Sequence, residues 1–522
     1  MSAKQEQLQL EKLETGIPGF DLISYGGLPK GRPTLISGTA GSAKTVIACQ
    51  FLAEGIIQAG ENGVFVTFEE SPQDIRRNVL GLNWDIQEWE RDGKWSFVDA
   101  SPQPEEEAIV LGDYDLGALT ARIEHAIRKV DAKRLSMDSI GAIVSQFADS
   151  TIVRRELLRI TSALKKMGVT SILTAERGQE YGDITRFGVE EFVADNVIIL
   201  RNVLQEEKRR RTMEILKFRG ASHQKGEFPF TLVQDQGIIV LPLSAIELKR
   251  KSSDRRTTSG NLEMDRMCGG GFLRNSITLV SGATGNGKTL MTSEFLAGGA
   301  NNGDRCLAFA FEESQEQLFR NATCWGINFA QMEKEGKLKV VCQYPEVTGL
   351  EDHLVKIKSA IDEFKPNRVT VDSLSALERI STIKGFHEFI IGLASFLKQN
   401  EIVSLFTAVT PTLIGGTSIT EAHISTITDS IILLRYVEMF GEMHRCITVL
   451  KMRGSRHDTD IREFTIDGQG MHIGKPLRNV SGILTGTPQH IVTSELERID
   501  ALFEGGGGSD YGSGKAKDAG GG

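Results

Sequence analysis

Short apolar runs alternate with amphipathic stretches along the first half of the chain. The apolar runs predict strands, and they read TLIS, VFVTF, WSFVD, RLSMD, TSILTA and NVIILR. Two longer stretches, 47–59 and 153–167, carry apolar residues at helical spacing. Because the strands are apolar throughout, we expect them to be buried on both faces. The pattern predicts an α/β fold with mostly parallel sheets and helices on both faces, in which ligands bind at the carboxyl ends of the strands.

The same pattern occurs twice. VFVTFEESPQ at 64–73 aligns with LAFAFEESQE at 307–316, and KFRGASH at 217–223 aligns with KMRGSRH at 451–457. Three aligned blocks share one offset, since 368 − 134, 429 − 195 and 451 − 217 all equal 234. So long a period predicts a duplicated domain rather than a solenoid. We expect a first domain, a charged linker, a second domain and a C-terminal segment at 1–246, 247–259, 260–478 and 479–522.

Composition narrows the class of protein. The chain has 522 residues, 40% of them hydrophobic, and a net charge of −9, which does not favour a general nucleic-acid binder. The six cysteines form no CxxC pair, no run of 18 or more apolar residues occurs, and the polar N-terminus lacks the apolar region of a signal peptide. We therefore expect a cytoplasmic protein that does not interact with membranes.

A glycine-rich loop follows a predicted strand in each half. SGATGNGKT fits the pattern GxxxxGK[ST], lies after SITLV and precedes a helix. Its backbone N–H groups would cradle phosphates, Lys288 would reach the β- and γ-phosphates, and Thr289 would bind Mg²⁺. The two loops predict ATP or ADP contacts at Gly38, Thr39, Ala40, Gly41, Ser42, Ala43, Lys44, Thr45, Gly282, Ala283, Thr284, Gly285, Asn286, Gly287, Lys288 and Thr289.

The first loop departs from the pattern at one position. It reads GTAGSAKT, with Ala43 in place of a glycine. If this position needs a positive φ, alanine costs about 1–2 kcal/mol; if it is helical, alanine is harmless. We favour a working nucleotide site with altered affinity, and the alternative is a site that has only a structural role.

Carboxylates follow the loops at matched spacing. The pairs Glu69-Glu70 and Glu312-Glu313 end predicted strands, where one carboxylate could polarise a nucleophile and the other could help to hold Mg²⁺. The alternative is an acidic helix cap, which Ser71 and Ser314 would suit. Asp138 and Asp372 end further strands and fit the Walker-B acid. The predicted Mg²⁺ ligands are Thr45, Asp138, Thr289, Glu312 and Asp372.

Two cations stand next to a predicted strand in each half. Lys217 and Arg219 in KFRG, like Lys451 and Arg453 in KMRG, are two residues apart, so an extended backbone directs both to one side. Cations directed at a γ-phosphate stabilise its developing charge, in the same subunit or in a neighbour. The alternative is a solvated basic edge.

Together these motifs resemble those of the RecA-like ATPases, and their tandem arrangement resembles the KaiC family of circadian-clock ATPases and autokinases. The resemblance covers about residues 12–490 and includes FEESPQDI, GVEEFVADNVIILRNV, CGGGF, EAHISTITDSIILL and KMRGSRHD. It implies a homohexamer with ATP between subunits, in which the four cations act on the neighbour's nucleotide. It also implies that the first ring is a slow ATPase with Glu69 as base, and that the second is an autokinase and autophosphatase with Glu312 as base.

The resemblance places the phosphoacceptors at Ser425 and Thr426, with Thr420 as an accessory hydroxyl. The chain provides its own comparison, because subtracting 234 gives Glu191, Phe192 and Arg186. The first half therefore has no hydroxyl at any of these positions. A phosphate adds about −1.5 to −2 charge and three acceptor oxygens, so it can reorganise an interface.

The resemblance also implies protein partners. In the cyanobacterial system the tail recruits KaiA, but here the short predicted helix SELERIDALF is followed by a flexible glycine-rich end. We expect that KaiA is not required and that KaiB contacts the first domain near 102–115. Two alternatives are a RecA- or DnaB-like DNA-dependent ATPase, for which only the basic run 208–211 argues, and a non-clock hexameric scaffold that uses ATP for assembly.

Overall fold

The computed structural model describes most of the chain as two compact units. Contacts divide the chain into residues 1–248 with 351–355, and residues 249–350 with 356–522. The described residues are 10–101, 116–144, 150–186, 188, 190–205, 207–242, 253–410, 424–439, 441–478, 480–483 and 489–490.

The first unit is built around a nine-stranded sheet. In spatial order its strands are Gly237–Val240, Glu227–Val233, Lys208–Phe218, Asn196–Gln205, Pro33–Gly38, Thr170–Glu176, Arg134–Asp138, Gly63–Thr67 and Trp95–Asp99. The α-helices are Phe20–Ile23, Lys44–Glu54, Pro72–Asn78, Ile86–Arg91, Leu116–Val130, Gly141–Val144, Ser150–Met167 and Glu190–Val193, with a π turn at Gly55–Ala59 and a 3₁₀ turn at Leu80–Leu82. A two-stranded ribbon joins Lys12–Leu13 to Leu28–Pro29.

The second unit repeats this architecture. In the same spatial order its strands are Gly470–Pro476, Arg462–Asp467, Glu442–Met452, Ser430–Met439, Ile277–Gly282, Val403–Val409, Arg368–Asp372, Cys306–Ala310 and Leu338–Cys342. The α-helices are Leu262–Met267, Lys288–Asn301, Gln315–Cys324, Phe329–Lys334, Leu350–Phe364, Leu374–Glu378 and Ile383–Gln399, with 3₁₀ turns at Pro345–Val347 and Ile424–Thr426. Two ribbons pair Arg256–Thr257 with Phe272–Leu273, and Val480–Ser481 with Gln489–His490.

The predicted α/β fold is confirmed. In each sheet the strand that leads into the phosphate loop lies between two parallel neighbours, with Gly38 paired to Glu176 and Leu200, and Gly282 paired to Val409 and Leu434. Three further strands extend one side of each sheet in antiparallel fashion. The parallel strands therefore end at one edge, where the phosphate loops begin.

A buried arginine secures the helix after each phosphate loop. Arg134 donates to the backbone oxygens of Phe51 and Thr15 and pairs with Glu61 at 2.7 Å. Arg368 donates to those of Phe295 and Thr258 and pairs with Asp304. Buried charge is tolerated only when it is paired and hydrogen-bonded, as it is here. Each arginine thus connects the N-terminal ribbon of its unit to the helix of the phosphate loop.

Two further observations concern the cysteines and the helices. None of the six cysteines forms a disulfide. Within the described ranges, every helix is too short or too polar to span a bilayer.

Candidate functional site

The second phosphate loop has the geometry expected of a nucleotide site. Gly287 ends the loop at φ 88°, and the helix Lys288–Asn301 begins directly after it. The ammonium of Lys288 is buried and donates to the backbone oxygens of Gly282 and Ala283 at 2.9 and 2.8 Å. Burial lowers its pKa. The hydroxyl of Tyr436 donates to the backbone oxygen of Gly285 at 2.8 Å and secures the tip of the loop.

The first loop adopts the same arrangement. Lys44 donates to the backbone oxygens of Gly38 and Thr39, both at 3.0 Å. Ala43 has φ 70° and ψ 30°, which is left-handed backbone. The loop therefore keeps its shape. Position 43 requires a positive φ, which costs an alanine about 1–2 kcal/mol.

Ala43→Gly is expected to stabilise the first domain by roughly 0.5–1 kcal/mol, because relief of about 1–2 kcal/mol of left-handed strain exceeds the entropy that glycine loses on folding. The reverse change, Gly287→Ala, should destabilise the second domain, since a Cβ there would lie 3.0 Å from Cδ1 of Ile466. Thermal unfolding of the full-length variants without nucleotide measures both effects. Equal shifts of the same sign would contradict the assignment.

The two members of each glutamate pair face different partners. Glu69 accepts from the hydroxyl of Ser139 at 3.2 Å. Glu312 accepts from Ser373 at 3.1 Å and pairs with the guanidinium of Arg379 at 3.2 Å. Because Ser139 and Ser373 directly follow Asp138 and Asp372, the first glutamate of each pair lies beside the Walker-B acid.

The second glutamate of each pair faces a helix. Glu70 accepts from the side-chain amide of Asn78 at 2.9 Å, and Glu313 accepts from that of Asn321 at 3.2 Å. The predicted caps are present as well, since Ser71 and Ser314 cap these helices. Burial raises the pKa of both Glu69 and Glu313. The two glutamates of a pair can therefore have different roles while the serine after them caps the helix.

Oxygen ligands suited to Mg²⁺ meet in the second site. The hydroxyl of Thr407 donates to the carboxylate of Asp372, and that of Thr289 lies near enough to lower the pKa of Asp372 against the effect of burial. In the first site Thr174 donates to Asp138 in the same way. No group of three or more His, Cys, Asp or Glu side chains forms a metal cage among the described residues. A hydroxyl and a carboxylate fit a P-loop Mg²⁺ site, where phosphates and water complete the shell.

A small cavity borders the second site. Its lining includes Glu312, Glu313, Asp372, Thr292 and Ser293. Ala308 also lines it, and the aligned residue in the first half is the fully buried Phe65. This position of the strand beside the carboxylates therefore carries a small side chain in the second half and a large buried one in the first.

The lysine and arginine of the KFRG and KMRG motifs contact the segment that precedes the neighbouring strand of the sheet. Lys451 donates to the backbone oxygen of Thr428 at 2.8 Å, and Arg453 donates to that of Thr426 at 2.9 Å. Lys217 donates in the equivalent way to the backbone oxygen of Ala194 at 3.0 Å. Arg219 instead reaches the carboxylate of Asp195 at 3.4 Å. The structure thus brings the second pair of cations to the predicted phosphoacceptor segment.

The acceptor segment itself is described in part. Thr426 is exposed and belongs to the 3₁₀ turn Ile424–Thr426. Thr420, the side chain of Ser425, the KaiB segment at 102–115 and the predicted tail helix lie outside the described residues. The aligned Glu191 accepts from the hydroxyl of Thr185 at 2.7 Å.

The basic run 208–211 lies in the strand Lys208–Phe218. Arg209 donates to the backbone oxygen of Asn202 at 2.8 Å, and Arg211 to that of Gly41 at 3.3 Å. These arginines contact the protein's own backbone next to the first phosphate loop. Their position is therefore accounted for by the fold, without a nucleic-acid ligand.

Some site residues could not be found from the motifs. A sequence signal for Ser139 and Ser373 does exist, because an Asp-Ser pair occurs at this point in both halves. No sequence signal indicates Arg379, since it is 67 residues from Glu312 and aligns with Ser145 in the first half.

Comparison with known families agrees with this geometry. The family model described as "ATPase: KaiC" matches residues 13–245 and 257–478, and so covers both halves. The chain belongs to the KaiC family.

Curated KaiC relatives match along nearly the whole chain. A "Circadian clock protein KaiC3" of Synechocystis is 70% identical over 96% of this chain and 99% of the relative. A "Circadian clock oscillator protein KaiC" of Acaryochloris marina is 53% identical, and one of Synechococcus elongatus is 51% identical, each over 96% of this chain. The chain is therefore a KaiC-type ATPase, a family whose activity implies nucleotide binding.

Proposed function

We propose that the chain forms a homohexamer with ATP at the subunit interfaces, and that its two domains use ATP differently. The first domain hydrolyses ATP slowly. The second transfers phosphate to its own Ser425 and Thr426 and later removes it, with Thr420 as an accessory hydroxyl. The names of the relatives support a role as the central component of a circadian or hourglass timing system.

One observation carries this proposal. Equivalent cations hold equivalent segments in the two domains, since Lys217 bonds to Ala194 and Lys451 to Thr428. Only the second of these segments carries hydroxyls at the acceptor positions, whereas the first has Glu191. The catalytic residues are therefore present twice and the acceptors once.

The positions of the glutamates support their roles. Glu69 would accept a proton from water and Glu312 from an acceptor hydroxyl as each oxygen attacks the γ-phosphorus. Arg379, at 3.2 Å, would fix the position of the Glu312 carboxylate. Thr45 and Asp138, and likewise Thr289, Asp372 and Glu312, would hold Mg²⁺, which neutralises phosphate charge when bound. Glu70 and Glu313 would orient the helix that follows and assist from its side.

The cations complete each site from the neighbouring subunit. Lys217 and Arg219 would act on the neighbour's first-domain nucleotide, and Lys451 and Arg453 on its second. Because Arg453 holds the backbone of Thr426, the same interface that brings cations to the neighbour's ATP also brings the acceptors to it.

Partner requirements follow from the sequence. We propose that KaiB binds the first domain and that KaiA is not required, with phosphorylation set by the ATP/ADP ratio and Mg²⁺. Protein that stays unphosphorylated in Mg-ATP until KaiA is added would contradict the second statement.

Phosphopeptide mass spectrometry of the purified full-length protein after incubation with Mg-ATP tests the autokinase activity. Phosphate is expected on Ser425 and Thr426, and it should be absent from Glu312→Gln. The matched variant Glu69→Gln should retain it. Complete absence of phosphate from the unmodified chain under every nucleotide condition would favour the non-clock scaffold instead.

A further inference from the structure

We infer that the residue ending the strand next to each phosphate loop determines which nucleophile the site activates. Glu176 orients a water molecule in the first site, and Val409 in the equivalent position leaves the second site suited to a protein hydroxyl. This inference rests on the proposed division between a hydrolysing and a phosphotransferring domain.

The backbone register makes these two residues equivalent. Glu176 is the pairing partner of Gly38, and Val409 is that of Gly282, where the two phosphate loops begin. Thr174 and Thr407, two residues earlier, donate to the Walker-B carboxylates. Residues two apart on a strand point to the same face of the sheet. The side chain of Glu176 therefore lies on the same face as that of Thr174, which contacts Asp138. This position is between Asp138 and the phosphate loop.

Electrostatics supports a position of the Glu176 carboxylate near the catalytic lysine. Burial lowers the pKa of Lys44, and among the carboxylates that oppose this effect Glu176 is the strongest, ahead of Asp138 and Glu69. Glu180, which accepts from the hydroxyl of Thr39 in the phosphate loop at 2.6 Å, opposes it as well. Around Lys288 the opposing acids are Asp372 and Glu312, the counterparts of Asp138 and Glu69. Among the described residues, the first site therefore has two carboxylates near its lysine, Glu176 and Glu180, without counterparts around Lys288.

The two nucleophiles differ in what surrounds the attacking oxygen. In hydrolysis the water oxygen bonds to the γ-phosphorus, the bond from phosphorus to the ADP oxygen breaks, and one water proton passes to Glu69. The second water hydrogen needs an acceptor that fixes the direction of the lone pair, and Glu176 supplies it. A serine or threonine hydroxyl carries carbon in place of that second hydrogen, so an apolar valine suits it and a carboxylate there would have no hydrogen to accept.

Steady-state kinetics of the full-length protein in a Glu312→Gln background test the first half of this inference. Glu176→Val is expected to lower kcat by roughly 10- to 100-fold, the loss typical of a mispositioned nucleophile, with little change in KM for ATP. Glu176→Gln should lose less, because its amide oxygen still accepts a hydrogen bond from water. Glu176→Asp should recover part of the loss. Glu88→Gln, an exposed carboxylate of the same domain, is the control and should behave as the parent.

A carboxylate that merely balances the charge of Lys44 would change KM and leave kcat intact, and that result overturns the inference. Glu69→Gln in the same background separates the two proposals. If it abolishes turnover while the Glu176 variants keep theirs, the inference fails and first-domain hydrolysis stands. If Glu69→Gln also keeps its turnover, the proposed function itself fails.

The reciprocal change tests the second site. In a Glu69→Gln background, Val409→Glu is expected to lower phosphate on Ser425 and Thr426 severalfold relative to Val409→Leu, at equal ATP occupancy. Equal phosphorylation of the two variants would overturn the assignment of Val409.

Discussion

Glu69→Gln is expected to lower ATP hydrolysis by the first domain by roughly 10²- to 10⁴-fold, the range seen when a general base is removed. The Glu69 carboxylate lies against Ser139, next to Asp138, and burial raises its pKa, so it accepts a proton more readily than a solvated glutamate. Glutamine keeps the shape and the hydrogen bond but cannot take the proton. Phosphate release from full-length protein carrying Ser425→Ala and Thr426→Ala measures the loss without phosphotransfer.

Glu70→Gln is the matched control for this experiment. Glu70 accepts from Asn78 on the following helix, so its replacement should leave most of the turnover. Conversely, Glu312→Gln should abolish phosphorylation while first-domain hydrolysis continues. If Glu70→Gln caused the larger loss, the base would have been assigned to the wrong member of the pair.

The sequence predicted the fold because the determinants are local and repeated. The predicted strands WSFVD and RLSMD coincide with the observed Trp95–Asp99 and Arg134–Asp138. The lengths of the antiparallel strands such as Lys208–Phe218 were not predicted, because their burial is mixed and their apolar pattern is weaker.

Within the site, what could be predicted depends on whether a local pattern determines it. The phosphate loops follow from a nine-residue motif in each half. The conformation of Ala43 does not, because alanine is compatible with either backbone region and only the closed loop selects φ 70°. The pairing of Glu312 with Arg379 depends on a contact across 67 residues that the first half does not repeat. Glu69 and Glu70 were predicted to end a strand, but they lie in the bend after Gly63–Thr67, where strand alternation does not determine their orientations.

Arg219→Ala is expected to lower first-domain hydrolysis by roughly 10³-fold or more, the effect of removing an arginine that stabilises phosphoryl-transfer charge. Its guanidinium is largely exposed and pairs with Asp195 at 3.4 Å, so its outer face is available to a neighbouring subunit. If it acts on the neighbour's ATP, subunits carrying Arg219→Ala and subunits carrying Glu69→Gln should complement each other when mixed and reassembled. In a randomly mixed ring about one interface in four joins an intact Glu69 to an intact Arg219, so about a quarter of the parental turnover should return.

This recovery separates action in trans from action in cis. If Arg219 served the nucleotide of its own chain, no mixed interface would contain a complete site, and the mixture would stay as inactive as its components. A mixture of Glu69→Gln with Lys44→Ala subunits is the matched control. Glu69 and Lys44 both belong to the site of their own subunit. Every site in this mixture therefore contains one of the two substitutions, whether Arg219 acts in cis or in trans, and no recovery is expected. Recovery in the first mixture alone requires that the catalytic glutamate and the arginine of one site come from different chains. Hydrolysis would then depend on how closely adjacent subunits approach, and Arg453, which holds the carbonyl of Thr426, would make acceptor phosphorylation depend on the same approach in the second ring.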